Sequence, residues 1–136
     1  MDITNLKKAY AALERTIKSE AIIGEDLREI YRMAAIKNFE LCFELSWKAM
    51  QRWLLKEEKS LEMKIRSKKD LFRDVYGYGL VTDSNKWIEF LDMRNDTSHS
   101  YDDITAEEVF VSIKEFYEEI TYFIEKLEEI LDDSFR

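Results

Sequence analysis

Ala35-Ile36-Lys37-Asn38-Phe39-Glu40-Leu41-Cys42-Phe43-Glu44-Leu45-Ser46-Trp47-Lys48 carries two apolar patterns at once. Ile36, Phe39, Phe43 and Trp47, continued by Met50 and Leu54, fall on one helical face. Cys42, Leu45, Ala49 and Trp53 make a second stripe beside it. A helix with two adjoining apolar stripes must pack against more than one neighbour. The segment from about 25 to 56 is therefore expected to be the central helix of a bundle.

Upstream, Gly24 breaks the pattern. Before it, Leu6, Tyr10, Leu13 and Ile17 predict a first helix over about 3–19. Downstream, Lys56 to Lys69 is charged and weakly periodic and reads as a connector. Ser67 can cap a short third helix that carries Leu71, Phe72 and Val75 and ends at Gly77 or Gly79. A fourth helix is expected to start near Asp83 and to present Trp87, Phe90 and Leu91. Thr105-Ala106-Glu107-Glu108 has the form of a capping box opening a fifth. In that helix Val109, Ile113, Phe116, Ile120, Phe123, Leu127 and Ile130 repeat at alternating spacings of four and three, a bundle seam. The seam reads as bundle core ahead of a dimer interface. The expected fold class is all-α, an antiparallel bundle of about five helices, in a single domain over 1–136.

Composition agrees. The 136 residues are 46% apolar, with three Trp, seven Tyr and eight Phe to fill a core, no Pro, and glycine only at Gly24, Gly77 and Gly79. So few breakers favour long helices over strands and tight turns. Cys42 alone excludes an internal disulfide framework and fits a reducing cytosol. The start, Met1-Asp2-Ile3-Thr4, lacks a signal-peptide pattern, and no apolar run approaches the roughly 20 residues that span a bilayer, so the chain reads as cytoplasmic with no membrane contact.

The net charge of −8 argues against a generic polyanion binder. Its distribution is uneven: Lys59 to Arg73 holds six basic and two acidic residues, whereas from Asp102 onward twelve acidic residues face only Lys114, Lys126 and Arg136. The basic stretch reads first as a solvated connector and second as an RNA contact.

Chemistry has few places to sit. With one His and one Cys, a metal centre built on those ligands has no support, and neither a metal nor another cofactor is expected. Cys42 lies on an apolar stripe, which suits a small core residue better than a nucleophile. No glycine is followed by Ser, so the Gly-Ser element of nucleotidyltransferases is missing and the chain is not itself such a transferase. There remains the polar run Met93-Arg94-Asn95-Asp96-Thr97-Ser98-His99-Ser100-Tyr101-Asp102-Asp103. In an unbroken helix Arg94 and His99 would point about 140° apart, whereas Asn95 and His99 would share a face and Arg94 and Tyr101 would nearly eclipse. Asp96, Thr97 and Ser98 are weak helix formers, and a loosening there would let Arg94 and His99 bear on one phosphate. Arg offers a planar, permanently charged fork to a phosphate, and His exchanges protons near neutrality. Spacing alone describes a solvated helix end with a capping His. Glu40, Glu44 and Lys48 form an i, i+4 line on the central helix, either a salt-bridged solvated face or a support for Arg94 or His99.

The Ala35–Lys48 segment resembles the central helix of the nucleotidyltransferase substrate-binding proteins of the HEPN superfamily. Gly79-Leu80-Val81, Trp87 and Arg94-Asn95-Asp96-Thr97-Ser98-His99-Ser100-Tyr101-Asp102 look like the same family's second signature, in the same order, over about residues 5 to 131. The resemblance implies a homodimer whose Arg/His motifs face a common cleft, and a separate minimal nucleotidyltransferase as partner, the two forming a toxin–antitoxin module. It further implies a metal-independent ribonuclease in which Arg94 binds the scissile phosphate, His99 transfers protons and Asn95 orients the site. Tyr101 would accept AMP from the antitoxin transferase, placing bulk and negative charge beside Arg94 and obstructing RNA. One His per chain is one short of a base plus an acid, which a two-fold dimer would make good. Two other readings stay open: a non-catalytic subunit that presents a substrate, or itself, to the transferase, which the acidity favours, and an inactive helical scaffold.

Overall fold

A computed structural model describes residues 1–56, 67–97 and 103–133. Five α-helices account for most of them: α1 (Thr4–Lys18), α2 (Arg28–Lys56), α3 (Lys68–Gly77), α4 (Ser84–Thr97) and α5 (Asp103–Asp133). Two short 3-10 turns, Glu20–Ile22 and Glu25–Leu27, join α1 to α2. The described residues contain no strand, and the all-α bundle expected from the periodicity is what forms.

The pairing follows from the contacts. The α1 and α2 helices run antiparallel: Thr16 meets Asn38 and Tyr31, while Arg52 reaches back to the Asp2 carbonyl. Phe39 touches Phe116 and Tyr31 touches Phe110, so α2 and α5 run side by side in the same direction. Trp87 meets Phe43 and Phe123, and Phe90 meets Phe116, so α4 runs antiparallel to both. The α3 helix packs across α2 and α4, with Phe72 against Phe43 and Trp87. Burying each such ring or aliphatic chain is worth roughly 1.5–3 kcal/mol.

Helix ends obey local chemistry. The Ser67 hydroxyl accepts from the Asp70 amide at 3.1 Å, the expected cap of α3. The other end of α3 is closed by Leu80 N–H on the Val75 carbonyl and Gly79 N–H on the Tyr76 carbonyl, both at 3.0 Å. This paired closure needs a left-handed residue, and Gly79 supplies it with φ +80°. Asp83 accepts from the Asn85 amide at the head of α4.

Three expectations shift. The α5 helix begins at Asp103, so Thr105 lies inside the helix and is not its N-cap. The α2 helix proper begins at Arg28, after a 3-10 turn rather than directly at Glu25. Trp47 and Leu45 are only partly buried, whereas Ser46 is fully buried, its hydroxyl satisfied by the Cys42 carbonyl at 2.7 Å. The α5 seam is core, buried from Val109 through Leu127 with Ile130 packed at its edge.

Candidate functional site

Trp87, Phe90 and Arg94 lie at i, i+3 and i+7, so Arg94 extends the buried stripe of α4 in polar form. It is half-buried accordingly, while Asn95, one residue on, is exposed. Because α4 runs antiparallel to α2 and Phe90 is joined through Phe116 to Phe39, the last turn of α4 is carried past the level of Phe39 toward the N-terminal half of α2. His99 and Tyr101 lie outside the described residues.

On α2, the line of three polar residues divides. Glu44 and Lys48 behave as a surface pair at 3.4 Å, and Glu44 also accepts from the Trp47 indole at 3.0 Å. Glu40 does not. Its side chain is only 12% exposed, one carboxylate oxygen faces Lys37 at 3.5 Å, and the other is shielded from water without a hydrogen bond. A shielded carboxylate oxygen costs free energy unless a cation or donor serves it, so Glu40 is not simply part of a solvated face.

Beside the Arg94 turn, α4 and α5 enclose a cleft of about 280 Å³. Glu89 and Asp92 from α4 and Glu108 and Glu115 from α5 line it, around Phe90 and Val109. Lys86 neutralises Glu115 at 2.6 Å, and that bond raises the lysine pKa. The carboxylates of this cleft repel a phosphate chain that approaches from its side. No sequence pattern announced the cleft, since its acids come from two segments that only the helix pairing brings together.

No cluster of three or more His, Cys, Asp or Glu able to hold a metal ion occurs among the described residues. Cys42 is fully buried and burial pushes its thiol up to about 12, so it is no nucleophile at neutral pH. No described helix is long and apolar enough to cross a membrane.

The arrangement is that of a helical bundle carrying a polar Arg-Asn motif at the end of a helix whose Trp87 and Phe90 are buried. Residues 1–129 match the family described as nucleotidyltransferase substrate binding protein like, and the chain belongs to that family. Over 94 residues it is 37% identical to a Haemophilus influenzae protein named Probable ribonuclease HepT; the match covers 68% of this chain and 64% of that relative's length. A solved Haemophilus influenzae structure, reported to reveal the fold of a substrate binding domain of a nucleotidyltransferase, matches with a TM-score of 0.85 at 29% identity. That match spans 93% of this chain and 99% of the other.

Proposed function

We propose that the chain is a single-domain, cytoplasmic, metal-independent endoribonuclease of the HEPN type, the toxin of a toxin–antitoxin module. The observation that carries the reading is the placement of Arg94 at the half-buried exit of α4, five residues before the only His of the chain. The relative named as a probable ribonuclease supports it. In the proposed reaction the RNA 2′-hydroxyl attacks the adjacent phosphorus and the bond to the 5′-oxygen breaks. A 2′,3′-cyclic phosphate and a 5′-hydroxyl result. One His99 takes the 2′-hydroxyl proton, and His99 of a second copy gives a proton to the leaving oxygen. Arg94 binds the phosphate and stabilises the charge that builds on its oxygens. Asn95 and Glu40 orient these groups, while Glu44 and Lys48 sit further out on the same helix. A homodimer is part of this reading, because one chain supplies a single His.

Tyr101 is proposed as the AMP acceptor for a partner minimal nucleotidyltransferase, the modification silencing cleavage by adding negative charge and bulk next to Arg94. The experiment compares wild type with His99→Ala and Arg94→Ala on single-stranded RNA with EDTA present. Cleavage by wild type alone supports the reading, and equal cleavage by all three defeats it. A second reading, a non-catalytic substrate-binding subunit of a two-component nucleotidyltransferase, is favoured by the solved relative's description and by the acidic cleft. It predicts label from ATP on the protein in the presence of the transferase, and no RNA cleavage at any concentration.

A further inference from the structure

Trp47 is the large aromatic residue of α2 that does not enter the core. It lines a groove of about 450 Å³ between the start of α1 and the middle of α2, with Leu45, Lys48, Gln51 and Arg52 on its α2 side and Asp2, Asn5 and Leu6 on the other. The groove lies within the roughly 300–1,000 Å³ of ordinary ligand clefts. Two ammonium groups lie against the indole: Lys68, the first residue of α3, at 4.6 Å from the ring centre, and Lys48 at 5.8 Å. Glu44 holds the indole N–H at 3.0 Å and fixes the ring's orientation. Arg52 is exposed and spends one N–H on the Asp2 carbonyl. Lys56 foremost, then burial, and Arg52 least lower the pKa of the N-terminal ammonium, against an opposing pull from Asp2.

An aromatic face flanked by cations, one of them the exposed Lys48 that also pairs with Glu44 at 3.4 Å, is what an unpaired base and its phosphates require. The base stacks on the ring, and each lysine gives up the ring for a phosphate oxygen. Trp47 lies seven residues beyond Glu40 on the same flank of α2, about 10 Å along the helix axis, so a few nucleotides span the distance from this groove to Glu40. The α4/α5 cleft, lined by Glu89, Asp92 and Glu108, disfavours a polyanion on its side of the molecule.

We infer that the groove lined by Trp47, Lys48 and Arg52, with Lys68 against the indole, binds single-stranded RNA outside the proposed cleavage site, one base stacking on Trp47. The choice of ligand rests on the ribonuclease reading, but binding does not require that the chain cleave.

The test is fluorescence anisotropy of a labelled single-stranded RNA 12-mer on the full chain carrying His99→Ala. It is compared with the same background bearing Trp47→Leu, or Lys68→Gln with Arg52→Gln. The Trp47→Leu change is expected to weaken binding about tenfold. The double charge variant should weaken it and lower the slope of log K against log salt by about one. A duplex of the same sequence should bind more weakly, since paired bases do not stack on a side chain. Should Trp47→Leu unfold the half-buried helix, the exposed-charge variant still decides. No binding by the parent, equal affinity of parent and double variant, or a preference for duplex each overturns the inference. Cleavage of the 12-mer by the His99-containing chain with unaltered binding in the double variant would sink the groove and leave the ribonuclease standing. Groove-dependent binding without cleavage would do the reverse.

Discussion

Trp87 and Phe116 meet edge to face, with centroids 5.7 Å apart and planes at 70°, and neither ring reaches solvent. Through this contact α4 is clamped to α5, and the same indole touches Phe43 of α2 and Phe72 of α3. Truncating Trp87→Ala should cost about 3–5 kcal/mol, read as a fall in the urea midpoint without a change in slope. Trp87→Phe should cost less than about 2 kcal/mol, because the indole N–H is buried with no hydrogen-bond partner and its removal relieves a desolvation cost. Equal losses for the two would show that ring size, not the polar atom, governs the site.

Gly77 and Gly79 should respond in opposite directions. Added methyl groups at either position meet nothing within 4 Å, so only backbone conformation differs. Gly79→Ala forces an L-residue to φ +80° and should destabilise by about 1–2 kcal/mol. Gly77→Ala, in the last turn of α3, should stabilise by about 0.4–1 kcal/mol through the unfolded chain. Thermal melts of the two variants check both signs.

Cys42 should resist a disulfide-exchange reagent at pH 8 while the chain is folded, then react completely in denaturant. Its thiol is fully buried and pushed up to about 12 by desolvation. Rapid labelling under native conditions would contradict that burial.

The hydroxyl network between α1 and α5 predicts two opposite pH effects. Hydrogen bonds from Tyr117 and then Lys18 hold the Glu14 carboxyl below its ordinary value, so its contribution to stability is present above the ordinary carboxylate range and lost as pH falls through the lowered value. Tyr117 is shifted up by its bond with Tyr10, by burial and by Glu14; its contribution is present below the usual phenol range and lost as pH rises through the raised value. Tyr117→Phe should move the Glu14 titration upward in carboxyl-carbon NMR, while Lys18→Gln should move it less.

On the ribonuclease reading proposed above, Arg94→Lys should lower RNA cleavage at least tenfold with stability changed by less than about 1 kcal/mol. A lysine keeps the charge but loses the bidentate fork toward phosphate. Cleavage rates beside urea midpoints separate the two effects. An unchanged rate would remove Arg94 from the phosphate site.

The helices were legible because apolar periodicity is local. Residues 36 to 54 and 109 to 130 repeat at helical spacing over many turns, and the fold follows wherever that spacing is sustained. The Ser67 cap and the glycine stop of α3 were equally local. Stripe membership was less so: Trp47 has the periodicity of a core residue, yet α1 and α3 leave its ring at a groove, while Ser46, polar by type, is buried by its neighbours.

For Arg94, His99 and Tyr101 the sequence by itself determined a motif and a family likeness, since residue type and spacing are written along the chain. Only the tertiary structure decided that Arg94 continues a stripe buried at Trp87 and Phe90, that its helix runs antiparallel to α2, and that an acidic cleft flanks one side. Those facts depend on helix direction and packing, which join residues distant in sequence, and no local pattern encodes which faces will meet.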